Sequence, residues 1–338
     1  VDKDFGWDAF VSYPGHQVIE MGLVKLYRVT GEKRYLDLAK FFLDARGARD
    51  DGEEYSQSHR KVIDQTEAVG HSVRATYMYS GMADVAAILG DKAYINAITR
   101  IWEDLVYRKM YITGGIGASG GNEGFAEPYH LPNMSAYCET CASIGDIFFN
   151  HRLFSLHGEG KYFDILEKTL YNGALSGVNL AGDRFFYPNP LESNGQHERS
   201  AWFGCACCPS NVCRFLPAIP GYIYSVTDKD LYVNLFASNN ADIEMGGRSV
   251  RIAQETNYPW EGKVTMIIDP EKADRFTVRV RIPGWARNEA IPGGLYSFGS
   301  QSDEKHTLLV NGVPTDAKTE NGYAVITRKW QAGDRIEL

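Results

Sequence analysis

Up to about Pro220 the apolar residues recur at helical spacing, and beyond it they alternate with polar ones. The first helical pattern, residues 16–46, reads as a hairpin: Ile19 to Tyr27 and Tyr35 to Leu43 carry the apolar stripes, and Thr30-Gly31-Glu32-Lys33 turns between them. A second copy runs from His71 to Leu89, turns at Gly90-Asp91-Lys92 and resumes at Tyr94. A third runs from Ile144 to Leu156, turns at Gly158-Glu159-Gly160-Lys161 and resumes at Tyr162. Tyr35, Tyr94 and Tyr162 thus follow equivalent turns, and His16 and His71 open equivalent first helices. Hairpins repeated in this way bury their apolar faces against one another, as an open solenoid or a closed ring. Long glycine- and proline-rich connections such as Gly114 to Pro132 favour the ring, whose loops build a pocket at one rim.

The alternation after Pro220 falls in short β-branched and aromatic runs, Leu231 to Phe236, Val264 to Ile268 and Phe276 to Ile282. Asn311-Gly312 and Asn321-Gly322 sit beside such runs as hairpin turns. The expectation is an antiparallel β-sandwich following a helical domain, with the boundary near residues 220 to 228.

All six cysteines lie between Cys138 and Cys213, which inert core thiols scattered at random would rarely do. Cys138 and Cys141 form a C-x2-C pair enclosing Glu139, while Cys205, Cys207 and Cys208 fall within four residues. Thiolates and a carboxylate at this spacing suit zinc, though disulfides or inert thiols are the alternatives that spacing leaves open. Upstream, the loop Gly120 to Pro128 carries Glu123 and Glu127, the kind of carboxylate that protonates a leaving oxygen in glycoside cleavage, against the commoner case of a solvated acidic loop. Gly114-Gly115-Ile116-Gly117 is no phosphate loop, because it follows a helix and lacks the Gly-Lys-Ser/Thr ending. His16 and His71, at matched rims, could both reach a central pocket, and Tyr187 and Trp202 read equally as pocket wall or core.

Composition narrows the field. A net charge of −8 argues against broad contact with nucleic acid or anionic membrane. No apolar run approaches the ~18 residues of a spanning helix, and Val1-Asp2-Lys3-Asp4 does not open a signal peptide, so the chain reads as soluble and by default cytoplasmic. The absence of an initial Met and the strand-like ending at Leu338 lead to the expectation that both termini are incomplete.

Tyr137 to Ala142, Phe203 to Asn211, Gly15-His16, Gly70 to Ala75 and Tyr187 to Leu191 together resemble glycoside hydrolase family 127, the β-L-arabinofuranosidases, over most of the chain. The resemblance implies an (α/α)6 barrel, here residues 1–223 and lacking its N-terminal helices, followed by a β-sandwich at 224–338 truncated at its C-terminus. It implies a Zn2+ site of Glu139, Cys141, Cys207 and Cys208, with Cys207 as nucleophile and Glu123 as acid/base. His16, His71 and Tyr187 would contact the sugar, and Cys138, Cys205 and Cys213 would be structural. The implied activity is retaining, exo-acting release of β-linked L-arabinofuranose from plant-type oligosaccharides or glycoproteins. The partner is then a carbohydrate, with a homodimer the self-association left open. Gly124 and Ala126-Glu127-Pro128 depart from the Ala, Thr or aromatic residues usual after the acid/base. Two other readings compete: a glycosidase for another rare pectic sugar, and a non-catalytic sugar-binding toroid whose zinc is structural and held by Cys138, Cys141, Cys205 and Cys207.

Overall fold

The computed structural model describes Val1 and residues 3–338. The chain divides into two compact units: a helical one of Val1–His157, Ile165–Phe215 and Pro292–Leu295, and a strand-rich one of Gly158–Asp164, Leu216–Ile291 and Tyr296–Leu338.

The predicted hairpins form as α1 (Ile19–Thr30) with α2 (Lys33–Asp44), α3 (Ser72–Leu89) with α4 (Lys92–Asp104), and α5 (Thr140–His157) with α6 (Gly160–Thr169). A seventh helix, α7 (Cys207–Phe215), follows a long irregular segment. Helices α1 and α3 each end on a glycine in the left-handed region, Gly31 at φ 71° and Gly90 at φ 67°, whose N–H closes the last turn on the carbonyl of Tyr27 or Ala86. The turn that the repeat pattern predicted is therefore a glycine cap. Helix α5 begins at Thr140, four residues before the predicted start at Ile144, because the apolar stripe that marks a helix sets in only after its polar first turn. Cys141 consequently lies inside a helix.

Helices α1, α3, α5 and α7 pack side by side in that order. Both α3 and α5 are buried on every face, which is why neither shows the amphipathic stripe of α2 or α4. Polar groups buried between helices are bonded across them: the Trp102 indole donates to Asn150 Oδ1 (2.8 Å) and the Tyr94 hydroxyl to Asp44 Oδ1 (2.6 Å). No helix among the described residues is long and apolar enough to cross a membrane.

The strand-rich unit contains two sheets. One has the order β1 (Tyr224–Val226), β2 (Asp230–Val233), β6 (Asp274–Arg281), β10 (Tyr323–Trp330), β9 (Thr319–Glu320). The other runs β3 (Asn239–Met245), β4 (Arg248–Thr256), β5 (Val264–Pro270), β11 (Asp334–Glu337), β7 (Leu309–Val310), β8 (Val313–Pro314). Inward positions such as Val233, Ile252, Ile268, Val278 and Ile336 make one apolar core. The two Asn-Gly pairs turn β7 into β8 and β9 into β10, all four residues having positive φ. One pair departs from the antiparallel expectation: β2 lies parallel to β6, Asp230 opposite Thr277, since the β1–β2 hairpin adds to the sheet by its second strand.

Asp146 is fully buried on α5, with Oδ2 3.4 Å from the Thr169 hydroxyl and Oδ1 unpartnered. Burial pushes its carboxyl up to about 7, against a smaller opposing effect of Thr169 and Asn150. The folded value exceeds the unfolded one, so this group's contribution to stability is full below about pH 4 and is lost as pH rises through about 7. Asp146→Asn should therefore flatten the decline in melting temperature between about pH 4 and 8, a difference on the order of a few kcal/mol. Parallel melting curves for the two proteins over that range would refute this account.

Candidate metal centre and pocket

The N-terminal ends of the four adjacent helices converge on one cavity of about 520 Å³ in the helical unit. His16 precedes α1, His71 precedes α3, Glu139 precedes α5 with Cys141 in its first turn, and Cys207 and Cys208 open α7. Helix N-termini carry partial positive charge, so thiolates and carboxylates placed there are favoured. The cavity volume suits a small ligand.

Glu139, Cys141, Cys207 and Cys208 offer four ligand atoms that all lie within 4.8 Å of one another. Glu139 Oε1 stands 3.6 Å from Cys207 Sγ and 3.5 Å from Cys208 Sγ, and the two sulfurs are 4.0 Å apart. A tetrahedral ion with sulfur at about 2.3 Å and oxygen at about 2.0 Å holds such pairs roughly 3.5 to 3.8 Å apart. The spacing thus fits a zinc-like ion. The electrostatics favour one. Burial and the neighbouring Cys207 push the Glu139 carboxyl up to about 8, and its Oε2 is buried without a hydrogen-bond partner. Bonds among the three thiols hold Cys207 far below the usual thiol range and raise Cys141 and Cys208. Four electron-rich groups are packed together, and a bound cation would relieve their repulsion.

The surrounding chain fixes this set by backbone pairing. Residues 186–189 are bonded to residues 137–140: Thr140 N–H donates to the Tyr187 carbonyl (3.0 Å), Asn189 N–H to the Tyr137 carbonyl (2.8 Å), and the Asn189 amide to the Cys138 carbonyl (2.9 Å). That pairing carries the Tyr187 hydroxyl to 3.2 Å from Cys207 Sγ. Cys138 takes a positive φ of 44° and buries its thiol near Tyr111, Ala118 and Ala136, where burial pushes it up to about 12. All six cysteines are free thiols. Cys205 and Cys213 are exposed, Cys205 on the cavity wall.

Glu123 faces this Glu139–cysteine cluster from another loop, its carboxylate within 4.8 Å of His71 and Glu139 ligand atoms. Its backbone is left-handed, φ 52°, held by the Ser72 N–H (3.1 Å) and hydroxyl (3.0 Å), both donating to its carbonyl. Such a backbone is uncommon for a residue with a side chain and marks a constrained position. The next residue explains its departure from the expected pattern: a Cβ on Gly124 would meet the Gly70 carbonyl oxygen at 2.0 Å. The Glu123 side chain is bonded at both oxygens, Oε1 accepting from the Tyr137 hydroxyl (2.7 Å) and Oε2 lying 3.0 Å from His71 Nε2. Glu127, the other carboxylate of this loop, is exposed and does not line the cavity.

His16, at the exposed rim, is lowered to about 4, first by local desolvation and then by the Arg74 charge. His71 is lowered chiefly by burial, against the pull of Glu123. Both rings are neutral near pH 7 and offer one donor and one acceptor each. Trp202, exposed, is absent from the wall, whereas Tyr55, Arg74, Tyr77, Asn211 and Arg214 belong to it unforeseen. Asn211 and Arg214 follow Cys207 by four and seven residues on α7, a same-face spacing readable in the sequence.

Comparison with known proteins places these features in context. The family model described as "Beta-L-arabinofuranosidase, GH127 catalytic domain" matches residues 9–221, and "GH127 middle domain" matches 230–338. A non-reducing end β-L-arabinofuranosidase of Bifidobacterium longum is 35% identical, covering 96% of this chain and 52% of that protein. A solved GH127 β-arabinofuranosidase superposes with a TM-score of 0.96 at 54% identity, over 98% of this chain and 52% of that one. A GH127 β-L-arabinofuranosidase from Geobacillus stearothermophilus T6 gives 0.91 at 40%, over 99% and 56%. The chain spans about half the length of these relatives.

Elemental analysis should find one divalent ion per chain, lost in Cys208→Ser; a metal-free wild type binding no zinc on titration would end this reading. Gly124→Ala should displace Glu123, its Cβ clashing with the Gly70 carbonyl at a cost of about 1 to 3 kcal/mol of stability while leaving the metal content unchanged, as paired melting and metal assays would measure.

Proposed function

The chain belongs to glycoside hydrolase family 127, and on that premise we propose that it carries the catalytic centre of a retaining exo-glycosidase releasing β-linked L-arabinofuranose. Residues 1–223 are read as part of an (α/α)6 barrel and 224–338 as its sandwich domain. The observation that carries the proposal is the meeting, in one cavity, of a Cys207 thiol held well below the ordinary range and the doubly bonded Glu123 carboxyl.

In this reading Cys207 Sγ attacks the anomeric carbon. The glycosidic C–O bond breaks, and Glu123 delivers its proton to the departing oxygen. A thioglycoside joins the sugar to Cys207. Water then attacks the same carbon, Glu123 accepts its proton, and the C–S bond breaks to restore the thiolate. Two displacements at one carbon retain its configuration. Glu139, Cys141, Cys207 and Cys208 would hold Zn2+, which when bound keeps the thiols ionised and fixes their direction at some cost in nucleophilicity. His16, His71 and Tyr187 would orient the furanose through its hydroxyls, the neutral imidazoles both giving and accepting bonds.

Cys207→Ser should lower kcat/KM on a 4-nitrophenyl β-L-arabinofuranoside by at least about a thousandfold, and Glu123→Gln should lower turnover of an arabinose disaccharide by about 100- to 10,000-fold. Near-wild-type activity surviving both changes would sink the proposal. Turnover confined to a different pectic sugar in a substrate panel would correct only the glycone.

A further inference from the structure

Tyr137 is absent from the roles assigned above, yet it is the residue through which the acid/base carboxyl touches the metal-bearing segment. Its hydroxyl donates to Glu123 Oε1 at 2.7 Å. Its backbone carbonyl accepts from Asn189 N–H (2.8 Å) within the pairing that carries Tyr187, and its ring lies 6.2 Å from the Tyr187 ring. Two residues further on comes Glu139. The ring edge also lies near the Glu123 loop, where a Cβ placed on Gly120 would meet Cδ2 at 3.5 Å. Tyr137 is thus held by its backbone on the metal side and by its hydroxyl on the acid side.

We propose that Tyr137 is a positioning residue that assigns the catalytic proton to one oxygen of Glu123. A phenolic hydroxyl that donates to Oε1 occupies that oxygen as an acceptor. With His71 in the tautomer whose Nε2 accepts, the proton of the neutral carboxyl then sits on Oε2, 3.0 Å from that nitrogen, in a side chain that lines the cavity. In the first displacement that proton passes from Oε2 to the leaving oxygen as the glycosidic bond breaks. In the second, Oε2 takes a proton from the attacking water, while the bond from Tyr137 to Oε1 stabilises the carboxylate formed in between. Without the hydroxyl, either oxygen can carry the proton and the carboxyl is free to turn about its last bond. The left-handed backbone of Glu123 aims the side chain, and Tyr137 fixes its final rotation.

The inference rests on the reading of Glu123 as acid/base, so the experiment runs Tyr137→Phe beside Glu123→Gln. The readout is kcat/KM, which reports the first displacement, for two β-L-arabinofuranosides: a methyl glycoside, whose departure needs a proton, and a 4-nitrophenyl glycoside, which leaves with little help. Tyr137→Phe should lose more than about tenfold on the methyl glycoside, as befits partial loss of acid catalysis, and less than about threefold on the nitrophenyl one. Its metal content should match the wild type. Equal losses on both substrates, no loss on either, or a chain that loses its metal or fails to fold would each overturn the role, making the hydroxyl merely structural or idle. If Glu123→Gln itself shows no leaving-group dependence, the acid assignment fails and the proposal for Tyr137 falls with it. A Glu123→Gln chain that discriminates beside a Tyr137→Phe chain that does not would refute the proposal for Tyr137 alone.

Discussion

Everything at this site answers to one electrostatic constraint: the ligand atoms of a carboxylate and three cysteines are brought within 4.8 Å of one another, and three of the four residues are almost wholly buried. Isolated buried charge of that kind is prohibitively costly, so the fold must supply compensation or the groups must stay protonated. Part of the compensation is architectural. Helices α5 and α7 present their N-terminal ends to the cluster, and the outer histidines, neutral near pH 7, add no charge of their own. A cation would supply the remainder, and the ligand spacing could hold one. Binding of such an ion would couple to the folding of this corner.

The same constraint sorts the cysteines by environment. Cys138 differs from Cys141 by three positions, yet a positive φ turns it away from the cluster into an apolar niche where ionisation is unfavourable. Cys207 and Cys208 are adjacent and both reach Glu139, but Cys208 is buried while Cys207 remains half-open to the cavity. Accessibility, more than ligation, separates the group that could attack from those that only hold.

Much of this was legible in the sequence because it is local or periodic. The hairpin repeats, the Asn-Gly turns and the crowding of cysteines around Glu139 follow from spacing alone. The ligand set and the separation of Glu123 from Glu127 required resemblance, since nothing in Gly120 to Pro128 tells an aimed carboxylate from a solvated one. What stayed hidden depends on long-range pairing. Tyr137 becomes a partner of Glu123 only when residues 186–189 lie against 137–140, and the parallel seating of β2 on β6 has no signature in either strand. The start of α5 is hidden for a different reason: its first turn, Thr140 to Ser143, carries no apolar stripe, so the helical periodicity begins only at Ile144.

The glycine-rich loop carrying Glu123 looks uniformly permissive in the sequence, but its glycines are not equivalent. Gly117 has φ 85°, and a Cβ there would meet the Ser72 hydroxyl at 2.7 Å, whereas Gly120 and Gly121 have only ordinary contacts at 3.5 and 3.8 Å. Among the glycines of this loop, room for a side chain lies at 120 and 121, while Gly117 and Gly124 leave none. On the acid/base role proposed for Glu123, a lineage adapting to a new leaving group could vary side chains at 120 and 121 while the backbone that aims the carboxyl is inherited intact, so that change on the acceptor side and preservation of the reaction would be separated within one short loop.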